Sequence, residues 1–226
     1  MRNISLITAL VLSFIVVSCD ESNSHNDLNV FLKSTIVKSD SIIDIDLRKH
    51  QDDLVRYAEN QISFDLCDKS YFTGSIEDGS DVILFPSFLT KKCNPPNLQH
   101  KVITILINSS DQTLIESEVI SSNISIQDKI VEISKAYTED DLKPIRTLYL
   151  FQWDKATSPE KLKERTIQTL HGVKEFYDLL AYEEYGKEYS GLNSKEIEEF
   201  NLDYKFKVGF SGSQCIVPPP PPPPAL

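Results

Sequence analysis

The first eighteen residues contain no aspartate or glutamate, and nowhere does the chain open with an apolar run long enough to cross a bilayer comfortably. The run from Ile4 to Val17 reaches roughly 21 Å at about 1.5 Å per residue, against the ~30 Å of hydrocarbon that a spanning helix must cover. A buried carboxylate that could carry protons through a membrane is therefore missing from this stretch. Basic side chains are outnumbered, with 23 Lys and Arg against 34 Asp and Glu and a net charge of −11. That balance argues against nucleic acid, whose binding is driven by phosphate neutralisation. Histidine is scarce and scattered, at His25, His50, His100 and His171. No HExxH, GxSxG, phosphate loop or dinucleotide fingerprint occurs, so the chain is not read as an enzyme and no cofactor is expected. The four cysteines form no CxxC or Cys/His spacing that suggests a metal.

What stands at the N-terminus is a basic residue, Arg2, then the short apolar core, then small residues at its exit, which is the pattern of a secretory signal peptide. Val16-Val17-Ser18-Cys19 has the form of a bacterial lipobox, in which Cys19 is acylated on sulfur and becomes the first residue of the mature chain. Residues 1–18 are thus expected to be a lipoprotein signal peptide. Acyl chains would fasten the protein to a membrane without spanning it, each buried CH₂ contributing about 0.8 kcal/mol. Residues 19–27 are polar and acidic and read as a flexible tether.

Export also places the remaining cysteines where disulfides form. Cys67 and Cys93 bracket a loop-rich stretch and are the favoured pair, with three unpaired thiols as the alternative; Cys215 is left over. Residues 28–96 carry two candidate strands, Asn29–Val37 and Ser41–Leu47, then a helical period in Leu47, Leu54, Val55, Ala58 and Ile62, then a strand over Val82–Phe85. No fold follows from that segment alone.

Residues 97–215 are clearer. Val102–Ile107 is apolar on both alternating faces and predicts a strand buried on both sides. Thr113–Ile120 is its hairpin partner after the Asn108–Gln112 turn. Ser125 precedes a helix with Ile126, Ile130, Ile133 and Tyr137 on one face. Ile145–Trp153 is the next strand. Thr157 to Glu160 reads as a capping box opening a helix to about Tyr185, striped by Leu162, Thr166, Leu170, Val173, Tyr177 and Leu180. Tyr204–Phe210 alternates aromatic and lysine residues and reads as an edge strand. The fold class expected is α+β, a small mixed sheet with two helices packed on one face.

Three stretches within residues 102–200 carry a resemblance: VITILINSSDQTLIESEVI, LYLFQWDKATSPEKL and EYGKEYSGLNSKEIEEF. In order and spacing they resemble the opening hairpin, the strand ending in an aspartate and a basic residue, and the charged extension of the ExbD/TolR periplasmic domain. Members of that family work beside a proton-driven membrane motor, pair with another copy, and contact partner proteins or peptidoglycan. The resemblance implies partner binding at the strand-end pair Asp154 and Lys155, and strand addition at an edge carrying Tyr204 and Phe206. It departs from the family in lacking the transmembrane helix and its essential aspartate. The expectation is an envelope lipoprotein, its domain in the periplasm, serving as accessory or regulator to ExbB/ExbD/TonB-like motor components. A glycan- or cell-wall-binding lipoprotein with no motor connection is the alternative. Seven prolines, Pro218–Pro224, within a tail of residues 216–226, extend as polyproline II over about 22 Å.

Overall fold

A computed structural model describes residues 19–36, 41–49, 51–61, 71–89, 101–120, 124–138 and 143–211. The signal peptide, the side chain of Cys19, Cys67, Cys93, Cys215 and the proline run lie outside the described residues. The fold is α+β, built on one mixed eight-stranded sheet. In chain order the elements are α1 (Cys19–Thr35), β1 (Ile42–Asp44), α2 (Gln51–Gln61), β2 (Tyr71–Asp78), β3 (Asp81–Leu89), β4 (Lys101–Ile107), β5 (Thr113–Ile115) and β6 (Glu118–Val119). They continue with α3 (Ile126–Thr138), β7 (Ile145–Trp153), α4 (Pro159–Tyr185), a 3₁₀ turn (Tyr189–Gly191), α5 (Ser194–Asp203) and β8 (Tyr204–Phe210). Across the sheet the order is β1-β2-β3-β8-β7-β4-β5-β6.

Register explains the core. β4, β7 and β8 run parallel, aligning Ile105 with Phe151 and Phe151 with Phe210. Side chains alternate across a sheet, so Ile103, Ile105, Ile107, Tyr149, Phe151, Trp153, Phe206, Val208 and Phe210 share one face. All are buried in one cluster with apolar residues of all five helices. Phe88, Leu148 and Leu150 form a small second cluster on the opposite face. The expectation that β4 is equally buried on both sides is corrected accordingly: Ile103, Ile105 and Ile107 are fully buried, while Val102, Thr104 and Leu106 are half-buried. Among the described residues that second cluster is made of strand side chains alone.

Three further corrections concern local chemistry. Asn29–Val37 is not a strand, and residues 19–27 are not an irregular tether, because α1 runs from Cys19 to Thr35. Leu28, Phe31 and Leu32 recur at the three- and four-residue spacing of a helix and are buried together. Phe31 stacks on Phe206 at 5.9 Å and meets Tyr177 and Tyr189 edge-on. The α4 cap is Ser158, not Thr157: Ser158 Oγ accepts the Lys161 amide, and Pro159 takes the first helical position. Thr157 instead donates to the Ile107 and Asn108 carbonyls at the end of β4. Glu116 and Ser117, both in the left-handed region, break the expected hairpin partner into β5 and β6.

The C-terminal end of α1 is held by a closed circuit. Ser34 Oγ lies 3.1 Å from Tyr189 Oη, Tyr189 donates to Asn201 Oδ1 at 3.1 Å, and Asn201 Nδ2 donates to the Ser34 carbonyl at 3.0 Å. Truncating Phe31, which is 3% exposed, is expected to destabilise the fold by about 3–5 kcal/mol. Denaturant unfolding of Phe31→Ala measures it, and a loss under 1 kcal/mol would show that α1 does not contribute to the core.

Candidate functional site

The sequence-predicted residues fall in two separate places. Asp154 follows the last residue of β7, and its amide donates to the Ile107 carbonyl at 2.9 Å. Its carboxylate Oδ1 accepts the Ala156 amide at 2.9 Å, and its carbonyl accepts the Thr157 amide. This is an Asx turn that swings the chain from β7 into α4. The neighbouring corner is built the same way: Asn108 Oδ1 accepts the amides of Ser110 and Gln112, and Asn108 Nδ2 donates to Gln112. Lys155 is exposed beside the turn. The pair therefore joins the ends of β4 and β7, with Asp154 engaged in backbone hydrogen bonds and Lys155 facing solvent.

Tyr204 and Phe206 turn their rings into the core, where both are buried. β8 pairs with β7 along its whole length and with β3 over Val208–Phe210. Alternation along the strand identified the two faces correctly, but a face does not report its neighbours, and β3 returns from early in the chain to pair with the last three residues of β8. The two rings are therefore not an exposed surface for a partner, which corrects the expectation of contact through them. Their roles are internal: Phe206 packs against Phe31, Tyr149 and Tyr177, and Tyr204 donates to Glu184 at 2.5 Å.

That hydroxyl belongs to a clasp sequence reading missed. Lys143 pairs with Glu184 and with Asp203 and lies 4.8 Å above the Tyr204 ring. It ties the start of β7 to the last turns of α4 and α5. Burial opposes the charge of Lys143, but the hydrogen bonds to Glu184 and Asp203 outweigh it and raise its pKa. Burial, then the Glu184 hydrogen bond, pushes Tyr204 up to about 12. Burial also raises Tyr149, despite its 2.8 Å hydrogen bond with Ser134, and raises Tyr177.

The second face of the sheet carries Arg146, Lys205 and Lys207, with Arg146 directly beside Lys205 in the register. Burial, reinforced by Arg146 and Lys205, lowers Lys207 to about 8. The third feature is an open groove lined by Arg48, Lys49, Asp53, Arg56, Tyr57 and Asn60. Its cations are largely engaged: Arg48 and Lys49 pair with Asp46, Arg56 with Asp53, and Lys49 lies 4.8 Å over the Tyr57 ring. The Arg48 hydrogen bond holds the Asp46 carboxyl below the usual range. Among the described residues, no group of three or more His, Cys, Asp or Glu side chains is placed to hold a metal ion, and no helix is long and apolar enough to cross a membrane.

No protein-family model matches this chain, and no curated protein matches it. 

Two outcomes follow from this geometry. Asp154→Ala removes the Asx acceptor and is expected to cost about 1 kcal/mol, whereas Lys155→Ala stays within about 0.5 kcal/mol; thermal unfolding of both variants separates them. For tyrosine, a raised folded-state pKa means stability that is complete below the ordinary value of 10 and lost as pH climbs toward 12. Alkaline titration followed by tyrosinate absorbance should show Tyr149, Tyr177 and Tyr204 ionising together with unfolding; their ionisation in a chain that retains native circular dichroism would contradict the burial described.

Proposed function

We propose that this chain is a bacterial envelope lipoprotein that acts through protein contacts, as accessory or regulator of a proton-motive-force-driven transport system of the TonB/ExbB/ExbD type, without conducting protons itself. The observation that carries the anchoring half is the position of Cys19. The lipobox cysteine is the first residue of α1, and Leu28, Phe31 and Leu32 of that helix are buried in the sheet's core. Acyl chains on Cys19 would therefore hold the folded unit close to a bilayer, about nine helical residues, or ~14 Å, from the docked face. The motor half draws on the resemblance within residues 102–200. Asp154, the strand-end residue of that resemblance, is turned into the chain, which leaves Lys155 as the exposed member of the pair.

A second reading, a glycan- or cell-wall-binding lipoprotein, draws on the groove over Tyr57, where an aromatic ring stands among Arg48, Asp53, Arg56 and Asn60. Both readings share the anchor and differ in the partner.

The test takes the protein from native envelopes in mild detergent. Intact-mass measurement should find an acylated Cys19 as the first residue, and motor subunits should co-purify. An intact Met1 with a bare thiol at position 19 would remove the anchor. An acylated chain that carries no motor subunit but sediments with isolated cell wall would replace the first reading with the second.

A further inference from the structure

The outer edge of β1 is closed by one side chain. Among the described residues β1 lies at the end of the sheet and pairs only with β2, in parallel. Ser41 and Ile45 turn their backbone groups toward β2, the Ser41 carbonyl accepting from Thr73 at 3.3 Å and the Ile45 amide donating to Ser75 at 2.9 Å. Polar groups alternate sides along a strand, so those of Ile42 and Asp44 point outward. At Asp44 both are taken by the last residue of α2. The Asp44 amide donates to Gln61 Oε1 at 3.2 Å, and Gln61 Nε2 donates to the Asp44 carbonyl at 3.3 Å. A primary amide thus makes the two hydrogen bonds that a neighbouring strand would make. Tyr57, one turn earlier on α2, donates to the Asp44 carboxylate at 3.2 Å and fixes the approach. The same device recurs inside the sheet, where β5 ends short of the full length of β4: Glu116 places its own carboxylate on the Thr104 amide at 2.6 Å.

We propose that Gln61 occupies a strand-docking position and thereby keeps the β1 edge from pairing with β1 of a second copy. The edge is self-complementary. Antiparallel pairing centred on Ile43 sets Ile42 of each copy opposite Asp44 of the other, which forms the two hydrogen-bonded pairs with the outward groups and keeps the two Asp44 carboxylates from facing each other. Ile42, 59% exposed, would then cover part of its side chain. Unprotected edges of this kind drive edge-to-edge association, and a side-chain amide is a reversible stopper because its competitor makes the same bonds.

The test uses the full chain in detergent micelles. Chains carrying Ile42→Cys are mixed with chains carrying Asp44→Cys, and each mixture is prepared with and without Gln61→Ala. Mild oxidation then traps the 42–44 pair as a covalent dimer, scored over chains with the native cysteines only. Gln61 is exposed, so Gln61→Ala should keep its native circular dichroism. Gln61→Glu, which loses the Nε2 donor and sets a carboxylate against the Asp44 carbonyl, is the parallel variant. Both variants should raise the trapped dimer about tenfold, the factor that corresponds to one net hydrogen bond released per edge. Equal yields with and without Gln61, in folded chains, would overturn the proposal.

Discussion

The pairing of β8 between β3 and β7 is the constraint on which the rest of the molecule depends. β8 is the last strand among the described residues, yet it stands in the middle of the sheet, aligning Ser87 with Val208 on one side and Tyr149 with Val208 on the other. Without it, β1–β3 and β4–β7 would be two separate pieces, each with an exposed strand. With it, one apolar face extends from Ile43 to Ile115, and the helices have a single surface on which to bury their stripes. The division drawn at residue 96 is therefore a change in sequence character and not a gap in the sheet. Contacts of this sequence separation are slow to form, because loop closure must precede the hydrogen bonds that reward it.

Aromatic packing shows how that joint is reinforced. Phe206 and Phe210 on β8 meet rings from α1, β3, β7 and α4. The Ser34–Tyr189–Asn201 circuit and the Lys143–Glu184–Tyr204 clasp then fix the helix ends around the same strand. Polar groups in this region are placed where burial would otherwise leave them unpaired, which costs about 1–3 kcal/mol for each such group. The molecule thus holds together through its C-terminal strand, while the helix leading back to Cys19 is docked against that strand. The N-terminal helix and this joint are thus mechanically continuous.

Where surfaces are concerned, the charges are arranged to satisfy one another. The Tyr57 groove is edged by ion pairs, Lys129 is shared between Glu118 and Glu132, and Lys163 reaches Asp78 on the β2–β3 hairpin. The exposed pairs among them contribute little individually, whereas Lys129 is itself buried. They do set register between elements, and Lys155 stays exposed beside them.

Much of the second half was legible in the residues. The stripe from Leu162 to Leu180 and the alternation of Ile145–Trp153 fix their helix and strand locally, because burial on one face demands the period of the element. Likewise the helix over residues 51–61 followed from Leu54, Val55 and Ala58. What sequence could not show was adjacency. The lysines of Tyr204–Phe210 said that one face of the strand is polar, but only the return of β3 decided that its last three residues are internal. Leu28, Phe31 and Leu32 fit a helix as well as a strand until the aromatic face of β8 selected the helix. Asp154 stands at a strand end as expected, and its Oδ1 accepts the amide of Ala156 two residues on. Periodicity is a property of one segment, whereas neighbours, edges and spent hydrogen bonds belong to the assembled sheet, and so the sequence determined the elements while tertiary structure decided which of their surfaces remain free.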